Sequence, residues 1–312
     1  MVILIVIKSA EVLMNKINQT AIDSASSYIM NNGRYLEKVL FGHYFIQPCS
    51  SKIVKALKMY QNKDGGYGNG IEPDFRMSFS SPMATSVALG MLVPFEYEPY
   101  AVDQIKLAIK YLEDTFSETL EGWEKTGKMV NLYPHAPWWH YQEFKGGVPL
   151  NPSVEIVGYL NKYKEYVEKL DVELLKNKYI NYLVEKGVDE EHDLYCYIRF
   201  YNTLSDIEQD LIRPNLVHAF NQLVSKDPDE WHLYKPYPLK FIGLTDEPIF
   251  EVSDELLRTN LKYLRDKISF IGHIPPTWKW DQYSEEWEIA KREWSGILTL
   301  DALKLLKRYN QL

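Results

Sequence analysis

From about residue 18 to residue 309 the sequence alternates amphipathic helical segments with connectors of two kinds, short polar ones and long ones rich in Gly, Pro and Trp. Apolar residues at helical spacing predict helices over about 18–31, 34–45, 51–61, 82–93, 101–116, 152–168, 171–186, 191–204, 206–225, 237–243, 253–268 and 291–309. In "DELLRTNLKYLRDKI", for example, Leu257, Leu261, Leu264 and Ile268 fall on one helical face. Ser81 and Pro82 open one segment as N-cap and first helical residue, and Asn151 and Pro152 repeat that arrangement.

Taken in order, these segments form six consecutive hairpins. In four of them the connector inside the hairpin is long: 62–81, 117–151, 226–236 and 269–290. Hairpins repeated around a ring put their internal connectors at one end and the connectors between hairpins at the other. The expectation is an all-α chain, an (α/α)6 toroid of six helical hairpins in a single domain spanning 1–312. On one rim 62–81, 117–151 and 269–290 would meet. Connectors longer than about 12 residues in a compact domain are usually functional or disordered. Their aromatic content argues against disorder.

Charge and cysteine usage exclude several classes. A net charge of -8 and the lack of any basic run argue against nucleic-acid partners and anionic membranes, which require basic patches. Cys49 and Cys196 are the only cysteines, so no disulfide framework is expected. The opening "MVILIVIKSAEVLMNK" holds an apolar run broken by Lys8, too short for a bilayer span and lacking the features of a signal peptide. Met14 starts "MNKINQTAIDSA", so residues 1–13 read as an upstream extension, and a cytoplasmic location without stable membrane insertion is the default.

The connector "MYQNKDGGYGNGIEPDFR" carries Gly65, Gly66, Gly68 and Gly70, the mark of a tightly folded turn. Within "KALKMYQNKDGGYG" the residues Gln61, Asp64, Gly65, Gly66 and Tyr67 resemble the glutamine-tryptophan repeat of squalene and oxidosqualene cyclases and the related repeat of protein prenyltransferase β subunits. Tyr67 stands where Trp is commoner in that repeat. The resemblance implies the toroid of the terpenoid cyclase and prenyltransferase superfamily, with the Gln and the acidic residue tying the loop to helix ends. It covers one good repeat. The Asp-x-Asp-Asp acid and the DDxxD run of that chemistry are both missing, and "KDPDE" at 226–230 has different spacing. A zinc site like that of the prenyltransferases needs Asp, Cys and His together. The local set His192, Asp193 and Cys196 lacks the Asp-x-Cys pair, so neither metal nor cofactor is expected.

The remaining chemistry is concentrated in two stretches, "LYPHAPWWHYQEF" and "GHIPPTWKWDQYSEEWEIAKREW", which hold six of the eight Trp. Rings at a loop rim pack on one another, cap the fold or line a pocket. The interleaved carboxylates favour a pocket. Glu72, Asp74, Asp281 and Glu286 are the candidate catalytic carboxyls, and Arg76, His135, Trp138, Trp139, His140, Trp278, Trp280 and Arg292 the candidate binding residues. In an extended "IEPDFR" the side chains of Glu72, Asp74 and Arg76 point the same way. Turned inward, that tail would present Glu72 as the more reactive group, with Asp74 structural and paired to Arg76. The expected partner is a small molecule. An isoprenoid follows from the resemblance, a carbohydrate from Trp faces beside paired carboxylates, and a third alternative is a binding protein without catalysis.

Overall fold

The computed structural model describes residues 17–144, 146–245 and 248–312, so the readings of the apolar opening and of residues 1–13 lie outside the described residues. Within them the chain forms twelve α-helices: α1 (Gln19–Asn32), α2 (Tyr35–Phe45), α3 (Ser50–Lys58), α4 (Pro82–Leu92), α5 (Pro99–Asp114), α6 (Ser153–Lys162), α7 (Val172–Lys186), α8 (Glu191–Tyr201), α9 (Asp206–Leu223), α10 (Leu239–Ile242), α11 (Asp254–Ile271) and α12 (Ser284–Arg308). Among the described residues β-pairing is limited to isolated bridges, and no helix is long and apolar enough to cross a membrane.

Local chemistry sets most helix ends. Ser81 Oγ accepts from the Ala84 N–H at 3.1 Å with Pro82 behind it. Asp171 and Ser253 cap α7 and α11 in the same way, and Ser205 with Glu208 forms a capping box on α9. Gly272, at φ 86°, ends α11 in the left-handed region that glycine enters without penalty. Two expectations are corrected. Asn151 is not a cap: Pro152 occupies the N-cap position of α6 without a side-chain bond, and Ser153 Oγ instead accepts from the Trp123 N–H at 3.0 Å. Helix α12 starts at Ser284, earlier than about 291, so Glu286 and Trp287 are helical.

Most consecutive helices pack on one another, and several helices also pack on the next but one. Among odd-numbered helices α3 packs on α5, α7 on α9 and α11 on α1; among even-numbered ones α4 packs on α6, α6 on α8 and α12 on α2. Helices α11 and α12 both lie against α1, so the last two helices meet the first. One apolar core runs through α2 to α9, around Leu57, Leu89, Ile156, Tyr197 and Phe220. A second joins α1, α10, α11 and α12 around Ile29, Leu264 and Leu303.

Three long connectors meet. The Ala136 N–H donates to the Asp74 carbonyl at 2.7 Å and the Arg76 N–H to the Pro134 carbonyl at 2.8 Å. Gln282 Nε2 donates to the His135 carbonyl at 2.7 Å, bringing in the segment between α11 and α12.

Candidate functional site

The glycine half of the 62–81 connector is scaffolding. Gln61 Nε2 donates to the carbonyls of Gly65 and of Gln104 on α5, both at 2.9 Å. Asp64 Oδ1 accepts from the Gly66 N–H and the Ser80 hydroxyl. Tyr67 is fully buried, its hydroxyl donating to Gln104 Oε1 at 2.9 Å. Close approach explains the glycines: a Cβ at Gly68 would lie 2.2 Å from the Phe79 carbonyl oxygen. The turn is then clamped by Arg34, whose Nη1 donates to the carbonyls of Gly70 and Ile71 while Nε and Nη2 hold Glu37.

Beyond this clamp residues 71–74 form a bend and a turn rather than the expected extended tail, and only Phe75 makes a bridge, to His135. Glu72 and Asp74 are 8% and 4% exposed. Glu72 Oε2 accepts from the Asp74 N–H at 2.5 Å, a bond that uses Glu72 to shape the backbone. Asp74 Oδ1 accepts from three indoles: Trp280 Nε1 and Trp294 Nε1, each at 2.8 Å, and Trp278 Nε1 at 3.5 Å. Its Oδ2 takes no hydrogen bond from the described residues and keeps contact with solvent.

Both carboxyls are shifted upward. Burial pushes Asp74 from 3.8 to about 6, against the pull of the three indole N–H groups and of Arg76. Glu72 is pushed well above the ordinary carboxyl range by burial and by the adjacent Asp74 charge. The expected Asp74–Arg76 pair does not form. Arg76 pairs instead with Glu293 on α12, at 2.5 Å and 3.2 Å.

Of the residues singled out from sequence, Glu72, Asp74, Trp278 and Trp280 come together. Trp139 stands behind them, edge-on to Phe75 at 5.3 Å, with a buried Nε1 that has no partner and Lys125 over its ring. The others do not join. His135 is buried but spends its ring nitrogens on the Tyr133 carbonyl and His140, and His140 itself is exposed. Trp138 is half exposed. Asp281 is exposed and paired with Lys279, Arg292 is exposed, and Glu286 lies partly buried on the first turn of α12. Their residue types fitted a pocket, but the backbone turns them outward, with Asp281 and Tyr283 both at positive φ.

Three contributors were not among the candidate site residues, although Trp294 and Glu293 lie in the second stretch quoted above. Trp294 and Glu293 sit on α12, where Trp287, Ala290 and Trp294 at helical spacing were the available signal. Tyr234 packs edge-on to Trp278 at 5.8 Å. His192 and Cys196 serve no common ion: Cys196 is buried, its thiol pushed well up by burial, and His192 binds Glu190 and Tyr234. Among the described residues no group of three or more His, Cys, Asp or Glu is placed to hold a metal ion.

A separate groove of about 590 Å³ lies between α1 and the end of α11, lined by Ser24, Tyr28, Asn31, Phe270 and His273 among others. It contains none of the buried carboxyls, so chemistry points to the Asp74 cluster rather than to this groove. No protein-family model, curated protein or solved structure matches the chain.

Proposed function

We propose that the chain is a closed ring of six helical hairpins, an (α/α)6 toroid, whose loop-bearing rim takes a small organic ligand, with Asp74 as the acid–base group. The ring reading is supported by the packing of several helices on the next but one and by the packing of α11 and α12 on α1. One observation carries the ligand reading: Asp74 is fixed through Oδ1 by three indole N–H groups while Oδ2 stays open. A carboxyl that protonates at about 6 can both give and take a proton near neutrality. Glu72 is the positioning residue, since its carboxyl is occupied by the Asp74 N–H; this reverses the roles expected from sequence.

The Gln61, Asp64, Gly65, Gly66 and Tyr67 motif, tied from α3 to α5, supports an isoprenoid ligand of the prenyltransferase and terpene-cyclase type. A carbohydrate is the second reading. It is favoured by the polar groups near the cluster, Tyr234, His192 and Asp193, where burial raises Asp193 to about 6. The test is thermal-shift screening of wild type, Asp74→Asn and Glu72→Gln against panels of prenyl diphosphates and of oligosaccharides. The expected result is a ligand-induced shift that disappears in Asp74→Asn while unliganded folding is kept. Unaltered binding in both variants would return the loop to scaffolding.

A further inference from the structure

We propose that Tyr234, His192 and Glu190 form a proton relay on the same rim, in which Tyr234 meets the ligand, His192 takes its proton and Glu190 orients the imidazole. The relay rests on the reading above only for where a ligand sits. Glu190 is the N-cap residue of α8: its Oε2 accepts from the N–H groups of His192 and Asp193 at 2.9 Å and 3.1 Å, and its Oε1 lies 2.6 Å from His192 Nδ1. That short contact to a carboxylate places a proton on Nδ1 and leaves the Nε2 lone pair free. Tyr234 Oη lies 3.1 Å from Nε2, a bond in which the phenol is the donor when the imidazole is neutral with its proton on Nδ1.

Position relative to Asp74 gives the relay its use. The Tyr234 ring meets the edge of Trp278 at 5.8 Å, and the Trp278 indole N–H reaches Asp74 Oδ1 at 3.5 Å. Two proton-transfer groups therefore flank one indole. A ligand resting on Trp278 would be within reach of both groups, which suits a hydroxylated ring with more than one exchangeable proton. Tyr234 is 49% exposed and the His192 side chain 44%, so both are reachable.

Burial, then the charges of Glu191, Glu190 and Asp74 and a hydrogen bond to Glu191, hold the Tyr234 phenol above its ordinary range, so it stays protonated unless a base assists. Burial pulls His192 down, but the hydrogen bond and charge of Glu190, with Glu191 at 3.9 Å, outweigh it and raise His192 above 6.5; Lys125 opposes them. His192 accepts a proton only when neutral, so relay chemistry must increase as pH rises through the His192 pKa.

Benzenesulfonyl fluoride tests this without any ligand. Attack by Tyr234 Oη forms the O–S bond, fluoride leaves with the S–F electron pair, and the phenolic proton passes to His192 Nε2. Peptide mass spectrometry then compares Tyr234 with the more exposed Tyr97 and Tyr100. The expected result is labelling of Tyr234 at least about tenfold faster than of either. Its rate should climb with pH and level above neutrality. The preference should vanish in His192→Asn, and in Glu190→Gln it should weaken, with a lower pH midpoint. His192→Gln serves as a second variant if the first loses helical circular dichroism. Labelling no faster than at Tyr97, or unchanged in both folded His192 variants, overturns the relay. Neither outcome alters the ligand panel for Asp74, so the two readings fail separately.

Discussion

Replacing Asp74 by Asn removes a carboxyl whose burial makes folding depend on pH. The group lies at about 6 in the folded chain against an ordinary 3.8. Because its folded pKa is raised, the folded state holds a proton that the unfolded chain has already released. Its contribution is therefore most favourable below about 3.8, falls as pH rises toward 6, and stays at its least favourable level above that. At about 1.4 kcal/mol per pKa unit the full change is about 3 kcal/mol. The indole bonds are already contained in that value, since they act on the charged form. Glu72 changes the result in the same direction, because the Asn variant relieves it of the Asp74 charge. Urea unfolding of both proteins between pH 4 and pH 7.5, followed by circular dichroism, measures the effect. Wild type minus variant should fall by about 2–3 kcal/mol across that range. A difference independent of pH, or one that grows in favour of wild type as pH rises, would show that the indoles stabilise a carboxylate and would refute the reasoning.

Arg34→Met should destabilise by about 3–5 kcal/mol in the same assay, because Glu37, with a side chain only 1% exposed, loses its counter-charge. Gly68→Ala should cost about 2–3 kcal/mol, since the new Cβ meets the Phe79 carbonyl oxygen at 2.2 Å and backbone must move. Asp281→Asn and Arg292→Gln, at exposed positions, should each change stability by no more than about 0.5 kcal/mol. A larger loss at either would mean that these two face a pocket after all.

The helices were legible because their determinants are local. Ser81 with Pro82 and the left-handed Gly272 announce helix ends within a few residues, and the apolar stripe of α11 repeats every turn. Helix α12 was begun too late because Trp287 looked like a loop aromatic, when with Ala290 and Trp294 it marks one face of a helix. Asp74, Trp278 and Trp280 were visible as candidates by residue type, but the extended "IEPDF" was not borne out, since residues 71–74 fold as a bend and a turn. Which groups they meet was not visible. Arg76 finds Glu293 across 217 positions and His192 finds Tyr234 across 42, pairings set by how the helices pack rather than by either local sequence.

Most direct is a crystal structure of the protein soaked with whichever compound gives the largest thermal shift. The account predicts electron density against Trp278 and Trp294, with a polar ligand atom within hydrogen-bond distance of Asp74 Oδ2. Density confined to the groove between α1 and α11, with Asp74 Oδ2 left untouched, would contradict it.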